Sequence, residues 1–313
     1  GAMARRKRGR DVHGWLILDK PVGPTSSDVV TMCRRALDAR KAGHAGTLDP
    51  LASGLLAVAF GEATKTVPLV QDGAKTYRFT ARLGQATSTD DGEGDVVAES
   101  AARPRDDEIQ AALAPLTGAI MQVPPVFSAV KVSGRRAYDL ARAAAEDPGA
   151  MPELAPRPLT VHALALVDRP DADHAVLEMT CGKGGYVRSI ARDLGRALGC
   201  HAHVSALRRL SSGALTLDGA ISFAPGEKIG HEAASAHLRP VATGLDDIPA
   251  LAVSGEDADR IRRGMAHAPA GFPPDWAEGA TGWAAEERVD EHVPVAIGAR
   301  AGHLFRPTRV FNL

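Results

Sequence analysis

The sequence has 313 residues, of which 44% are hydrophobic and 24% charged, and its formal net charge is -1 at pH 7. These values are ordinary for a soluble globular protein, and the overall charge does not mark a nucleic-acid binder. No stretch approaches the ~20 apolar residues that span a bilayer. No apolar signal-peptide core follows the basic start GAMARRKRGR, whose Gly1 and Ala2 are interpreted as a scar of tag removal. We therefore expect a cytoplasmic protein.

Cysteine and histidine spacings predict neither a metal site nor a disulfide framework. Cys33, Cys181 and Cys200 are odd in number and form no CxxC pair, so we interpret them as small buried side chains. His231 and His237 lie six residues apart, whereas the zinc helix HExxH needs a spacing of four.

Hydrophobic patterns in the first half of the chain predict strands and helices in mixed order. Two continuous apolar runs, WLILD (15–19) and GLLAVAFG (54–61), are typical of buried strands, and KTYRFTARLG (75–84) alternates as a half-buried strand does. TSSDVVTMCRRALDAR (25–40) has the apolar spacing of a helix, which Thr25 or Ser26 can cap. Further helices are predicted at 106–116 and 134–147.

The second half predicts paired strands at 159–169 and 174–182, an amphipathic helix at 186–199 and a strand at 201–210. Beyond residue 246 the content of Gly and Pro rises, and the strand-like pieces 292–298 and 303–313 follow. We therefore expect an α+β chain with three parts. They are a basic tail (1–11), a main domain (12–246) and a small β-rich module (247–313). The tail is either a solvated, disordered segment or an arm that contacts phosphates.

A lone carboxylate, Asp49, stands in the pliable segment KAGHAGTLDPLASGLL (41–56). Because Pro50 disfavours helical angles at the preceding residue, Asp49 should be extended or turned. Gly43 and Gly46 permit a close approach of backbone or substrate. The pattern fits a simple turn, and it also fits a catalytic carboxylate at the mouth of a cleft.

The chain has three tyrosines, and two of them stand beside flexible or strand-forming segments. Tyr77 begins the alternating strand, and Tyr186 follows GKGG at the start of a helix. Each is either a core ring or a phenol that stacks on a base or transfers a proton. Arg188 falls in the first turn of that helix, where the helix dipole disfavours a cation. It therefore needs an anionic partner, and Asp49 is a candidate.

Five motifs, in order along the chain, resemble the TruB family, the bacterial tRNA pseudouridine-55 synthases. They are LILDKPVGPTSSDVV, KAGHAGTLDPLASGLL, KTYRFTARLGQATSTDD, PPVFSAVKVSGRRAYDLAR, and CGKGGYVRSIARDLG followed by CHAHVSALRRL. The resemblance runs from about residue 12 to 225. More weakly, residues 247–313 resemble a PUA domain, a small RNA-binding β-barrel, on their position and on FRPTRVF.

This resemblance implies a catalytic domain with a mixed, largely antiparallel sheet flanked by helices, followed by a PUA-like barrel. It also implies isomerisation of uridine 55 in the T loop of tRNA. The glycosidic bond breaks and the base rejoins through carbon 5, with no metal and no cofactor. The substrate is the tRNA T stem-loop, without membrane or guide RNA, and the enzyme is expected to be a monomer.

The family's functional residues carry over to eight positions of this sequence. Asp49 matches the nucleophile, which either attacks the sugar or assists an elimination to a glycal. Tyr77 matches the tyrosine that stacks on uracil and moves a proton, and Arg188 matches the basic partner of the aspartate. His44 matches a residue that fills the T-loop stack when the base flips out. Tyr186 and Leu207 match positions that line the uridine pocket, and Asp90 matches a loop near the substrate. Lys20 matches a lysine near the site whose role is either structural or catalytic.

Three alternative functions fit the same residues. A non-catalytic RNA-binding protein on the same scaffold would keep Tyr77 and Tyr186 and could lose Asp49. A sugar hydrolase would need a second carboxylate as general acid, for which Asp90 is the candidate in the segments expected to build the site. A guide-RNA-dependent relative would act within a multi-protein complex, whereas the TSTDD and VKVSGRRAYDLAR segments are typical of the bacterial enzymes that act alone.

Overall fold

The computed structural model describes residues 8–125, 131–132, 135–136 and 154–313. Tyr138 and most of the basic tail lie outside these residues. So does the predicted helix at 134–147, except for Arg135 and Arg136, which form a short strand instead.

The described residues form the following helices, numbered in chain order: α1 (Ser26–Ala36), α2 (Val67–Asp72), α3 (Asp106–Leu113), α4 (Val187–Ala197), α5 (His231–His237) and α6 (Gly255–Arg262). Short 3-10 helices cover Gly61–Thr66, Ala114–Leu116 and Val241–Leu245. The strands are β1 (Gly14–Lys20), β2 (Ala42–His44), β3 (Ala52–Phe60), β4 (Lys75–Leu83), β5 (Gln85–Thr87), β6 (Val96–Glu99), β7 (Gly118–Gln122), β8 (Lys131–Val132), β9 (Arg135–Arg136), β10 (Arg157–Asp171), β11 (His174–Cys181), β12 (Ala202–Ser212), β13 (Leu215–Thr216), β14 (Ile221–Ser222), β15 (Ala250–Val253), β16 (Thr281–Arg288), β17 (Glu291–Ala301) and β18 (Leu304–Val310).

The chain divides into two compact units. The first unit is Gly1–Gly73 with Ser212–Leu313, and the second unit is Ala74–Ser211. Each has its own hydrophobic core. Mixed strand directions and flanking helices confirm the predicted α+β class.

In the first unit, β1 pairs antiparallel with β3 and parallel with β14, and β2 pairs antiparallel with the far end of β3. The apolar run that predicts β3 is buried along nearly its whole length. Helix α1 begins after Thr25, which forms a capping box with Asp28. The helix ends at Ala36, four residues before the predicted end, because Asp38 adopts a left-handed conformation with φ 48.

A four-stranded sheet near the C-terminus confirms the predicted β-rich module. Its order is β15-β16-β17-β18, with β15 parallel to β16 and the other pairs antiparallel. One side packs around Trp276 and Phe305, whose rings meet edge to face at 5.8 Å. On the other side Trp283 and Phe311 join Trp15 in the core of the first unit. The module therefore shares a core with the N-terminal strands.

This shared core gives a stability prediction. Phe311 is 1% exposed, so Phe311→Ala should remove a buried ring and lower the free energy of unfolding by about 3–5 kcal/mol. Urea denaturation followed by tryptophan fluorescence measures the change. Leu313→Ala is the control, because Leu313 is 41% exposed and should change stability by less than about 0.5 kcal/mol. Equal effects of the two substitutions would contradict the shared core.

In the second unit the strand order is β12-β4-β11-β10-β7. The pairs of β4 with β11, β11 with β10 and β10 with β7 are antiparallel. Helices α3 and α4 contribute Ile109 and Ile190 to a core that also holds Phe79 and Leu177. Strand β4 alternates as predicted, with Phe79, Ala81 and Leu83 buried.

The three cysteines are buried, as predicted from their spacing. Burial raises the pKa of the Cys33 thiol to about 12 and that of Cys181 to about 11. Both therefore stay protonated near neutral pH and behave as small apolar side chains. None of the helices in the described ranges has the length and apolar character that crossing a membrane requires.

Candidate active site

Asp49 lies on a tight turn between β2 and β3. The amide of Ala52 donates to the carbonyl of Asp49 at 2.9 Å, which places Pro50 at the second position of the turn, where its fixed φ fits. The amide of Gly23 donates to the carbonyl of Pro50 at 2.8 Å. Asp49 itself is exposed. The turn thus presents a carboxylate to solvent from a backbone that is held on one side by buried β3.

Lys20 ends β1 and is fully buried, and its ammonium donates to the carbonyls of Pro21 and Pro24 at 2.8 and 2.9 Å. Burial lowers the pKa of Lys20, and the nearby charge of Asp49 partly offsets that effect. Lys20 therefore anchors the chain between β1 and α1 and also supplies positive charge within electrostatic range of Asp49.

His44 ends β2, opposite Val58 of β3, and is half-buried. Immediately after it the amide of Ala45 donates to the carbonyl of Ala57 at 2.9 Å. Gly46 then has φ 111, a conformation that side chains rarely adopt, so the chain reverses here only because this residue is glycine. This reversal carries the chain from His44 to the Asp49 turn.

Arg188 occupies the first turn of α4, as predicted, and its acidic neighbour within the second unit is Asp91. The Arg188 Nη1 to Asp91 Oδ2 distance is 3.9 Å, and Nη1 also donates to the carbonyl of Thr89 at 3.4 Å. Asp91 accepts hydrogen bonds from the Thr89 hydroxyl at 2.5 Å and from the amide of Glu93 at 3.0 Å. The predicted pairing of Arg188 with Asp49 involves both units and stays a prediction.

Asp90 pairs with another arginine of the same helix. Its Oδ2 lies 3.7 Å from Nη1 of Arg192, and its φ is 61. Burial raises the pKa of Asp90, while Arg192 and then Arg188 act in the opposite direction. The two adjacent aspartates therefore lie nearest to different arginines, Asp90 to Arg192 and Asp91 to Arg188.

Tyr77 on β4 shares a hydrogen bond with Arg209 on the neighbouring strand β12. Arg209 is 3% exposed, and its burial lowers its pKa while Tyr77 raises it. Since a guanidinium only donates, the phenol oxygen of Tyr77 accepts this bond. Leu207 stands two residues before Arg209 on β12, so both side chains lie on the same face of the strand.

Tyr186 is the residue directly before α4, and a buried glutamine fixes its backbone. The Gln122 Oε1 accepts from the amide of Tyr186 at 2.9 Å, and Nε2 donates to its carbonyl at 3.1 Å. Burial raises the pKa of the Tyr186 phenol, and the charges of Arg157 and Arg188 act against that. Gln122 thus sets where the helix that carries Arg188 begins.

The predicted residues divide between the two units. The first unit holds Lys20, His44 and Asp49, and the second holds Tyr77, Asp90, Tyr186, Arg188 and Leu207. The first offers an exposed carboxylate with a buried cation nearby, which suits attack at an electron-poor carbon. The second offers phenol rings and a guanidinium, which suit stacking and charge stabilisation.

Two family models match the chain in succession. Residues 34–187 match the N-terminal domain of the TruB family of pseudouridylate synthases. Residues 188–245 match the C-terminal domain of tRNA pseudouridylate synthase B.

Curated relatives match over the whole chain. The tRNA pseudouridine synthase B of Dinoroseobacter shibae is 55% identical over 312 residues, which cover 99% of each chain. The protein of the same name from Cereibacter sphaeroides is 54% identical over 313 residues, covering 99% of this chain and 100% of that one.

A solved structure has the same fold at low sequence identity. The crystal structure of a Cbf5-Nop10-Gar1 complex contains a chain that matches with a TM-score of 0.72 and 24% identity, covering 95% of this chain and 84% of that chain. At this identity the likeness extends to the fold alone. It agrees with the largely antiparallel sheet and flanking helices of this structure.

Proposed function

Because this chain belongs to the TruB family of pseudouridylate synthases, we propose that it isomerises uridine 55 in the T loop of tRNA to pseudouridine. The relatives named tRNA pseudouridine synthase B support the RNA substrate. The observation that carries the proposal is the exposed carboxylate of Asp49, held on a tight turn at the head of a buried strand.

In the proposed reaction the bond between N1 of uracil and C1′ of ribose breaks, and a bond between C5 and C1′ forms. The proton on C5 leaves, and N1 gains one, so the product is an isomer and no cofactor is consumed. Asp49 acts as the nucleophile at C1′, or it assists an elimination to a glycal. Either route needs an ionised carboxylate next to the sugar.

The remaining residues have proposed roles around the base. Tyr77 stacks on uracil and moves the C5 proton, and its hydrogen bond from Arg209 supports a fixed ring position. Arg188 supplies positive charge beside the reacting carboxylate. Tyr186 and Leu207 line the uridine pocket, and Asp90 lies on a loop near the substrate. Lys20 is fully buried, so its proposed role is to hold the backbone after β1 and to place positive charge near Asp49. His44 replaces the flipped nucleotide in the T-loop stack, which offsets an unstacking cost of a few kcal/mol.

We further propose that the enzyme works as a monomer in the cytoplasm, without a guide RNA, a membrane or a metal ion. Purified protein incubated with a T-arm minihelix in the presence of a chelator should form pseudouridine at the target uridine. The readout is base-resolved detection of pseudouridine. A protein that binds the minihelix and leaves the uridine unchanged would favour the non-catalytic alternative, and release of free uracil would favour a hydrolase.

The C-terminal sheet is proposed to act as a PUA-like RNA-binding module. Arg306 and Arg309 on β18 are both exposed, which suits contact with phosphates. We expect the double substitution of both residues by alanine to weaken tRNA binding and to leave the single-turnover rate at saturating RNA unchanged. If both arginines contact phosphates, the slope of the logarithm of the binding constant against the logarithm of the salt concentration should decrease in magnitude by about 1.4.

The matched control is Arg263→Ala, which removes an exposed cation from the residue directly after α6. It should leave the salt dependence as in the wild type. A double variant that binds tRNA normally and turns over slowly would contradict the division between binding and chemistry.

A further inference from the structure

We propose that Ser26 is a positioning residue for catalysis, which sets the place of Asp49 by holding the backbone of Leu48. The inference rests on the proposed role of Asp49 as the reacting carboxylate. Its basis is a pair of buried hydrogen bonds that join the start of α1 to the residue directly before Asp49.

The Ser26 hydroxyl satisfies both backbone groups of Leu48. Its Oγ accepts from the amide of Leu48 at 2.8 Å and donates to the carbonyl of the same residue at 2.8 Å. A hydroxyl has one proton and two lone pairs, so it can make both bonds at once. Ser26 is 4% exposed and so is Leu48, which means that water does not readily replace either bond.

The Ser26 hydroxyl does not serve as the cap of helix α1. The cap of α1 is Thr25, whose side chain accepts from the amide of Asp28, and Asp28 reciprocates to the amide of Thr25. Ser26 is the first helical residue, and its bonds leave the helix for a loop 22 positions along the chain. The serine therefore serves the loop rather than the helix.

The other neighbour of Asp49 is held from the same segment. The amide of Gly23 donates to the carbonyl of Pro50 at 2.8 Å. The residues on both sides of Asp49 are thus attached to the chain at the start of α1, while the carboxylate between them is exposed. Because Asp49 is exposed, the position of its carboxylate depends on the backbone at Leu48 and Pro50.

Removing the hydroxyl should move the carboxylate without affecting RNA contacts elsewhere. Ser26→Ala leaves the amide and the carbonyl of Leu48 without their buried partner, so the turn should shift toward water. A misplacement of about 1 Å can cost about 10²-fold in the rate of a positioned reaction. We therefore expect a fall of about 10²-fold in the single-turnover rate, with tRNA affinity within about threefold of the wild type.

Two controls separate positioning from general damage. Ser27→Ala removes an exposed hydroxyl from the next residue of α1 and should leave the rate unchanged. Thr66→Val removes another buried hydroxyl of the first unit, which donates to the carbonyl of Ala63 at 2.8 Å. It should lower the melting temperature as Ser26→Ala does and keep the rate. Ser26→Cys, close in size and a weak donor, tests the same bonds if the alanine variant does not fold.

The experiment measures single-turnover pseudouridine formation at saturating T-arm minihelix, minihelix affinity and melting temperature for the wild type and these variants. A slow, tightly binding Ser26→Ala beside a fast Thr66→Val is the expected result. Equal rates for Ser26→Ala and Ser27→Ala, or equal losses for Ser26→Ala and Thr66→Val, would overturn the positioning role. A wild-type protein that forms no pseudouridine, or an active Asp49→Asn variant, would instead overturn the proposed function.

Discussion

Asp49→Asn is expected to fold, to bind tRNA and to lose pseudouridine formation almost completely. In a serine protease, loss of the nucleophile lowers turnover by about 10⁶-fold. Asparagine is nearly isosteric but cannot supply the negative charge that either proposed route needs. Tight binding should persist because phosphate and stacking contacts supply most RNA affinity.

Folding of this variant should survive for two structural reasons. Asp49 is exposed, and the turn that carries it is closed by backbone groups that asparagine keeps. Arg188 retains an acidic neighbour, Asp91, within its own unit, so the substitution does not leave it without a carboxylate nearby. The cost of an unpaired buried charge, about 3–5 kcal/mol, should therefore not arise.

Asp218→Asn is a matched control for this prediction. Asp218 is another exposed carboxylate of the first unit, and its substitution should leave activity, affinity and melting temperature unchanged. Turnover, tRNA affinity and melting temperature are measured for both variants. If Asp49→Asn retains a tenth of the wild-type turnover, Asp49 is not the reacting group and its segment is a structural turn.

Arg188→Lys is expected to lower turnover strongly, although less than Asp49→Asn, even though the charge is kept. Lysine lacks the planar guanidinium, whose Nη1 in Arg188 lies 3.9 Å from Oδ2 of Asp91 and donates to the carbonyl of Thr89 at 3.4 Å. Loss of such a positioned charge-stabilising group costs about 10²–10³-fold in turnover. The measurement is the single-turnover rate at saturating tRNA.

The control for this prediction is Arg196→Lys, which changes an exposed arginine of the same helix and should leave the rate unchanged. Asp91→Asn should slow the reaction as well. The double variant should lose less than the product of the two single losses, because the residues act as one unit. An unchanged rate in Arg188→Lys would show that the geometry of the guanidinium does not matter.

The elements that could be predicted from the sequence are those whose pattern reflects a single environment. Strand β4 faces the core on one side, so it alternates, and β3 is buried on both, so it is continuously apolar. The sequence pattern does not predict strand β16, because Trp283 and Ala284 point into different cores and polar residues do not alternate with apolar ones. Its sequence, TGWAAEER, then has no strand period to detect.

Some features of the candidate site follow from neighbouring residues in the sequence, and others depend on the folded backbone. The turn at Asp49 follows from Pro50, and the need of Arg188 for an anion follows from its place in a helix. That Asp91 rather than Asp90 meets Arg188 depends on the left-handed backbone of Asp90, which two adjacent aspartates do not reveal.

Residues that act through distant backbone contacts are the hardest to find. Gln122 acts 64 positions away along the chain, and no local pattern marks it. Arg209 is a charged residue at a buried strand position, and the apolar periodicity that marks buried positions does not include charged residues. Its only signal is the two-residue spacing from Leu207, which places both on one face of β12.

The role of Asp49 in the conversion of uridine 55 is tested most directly by position-resolved mapping of pseudouridine in a full-length tRNA that lacks modifications. The tRNA is treated side by side with wild-type protein and with Asp49→Asn. We predict complete conversion at uridine 55 by the wild type, no conversion by the variant, and equal binding of the tRNA by both. Conversion at uridine 55 by the Asp49→Asn protein, or none by the wild type, would contradict this prediction.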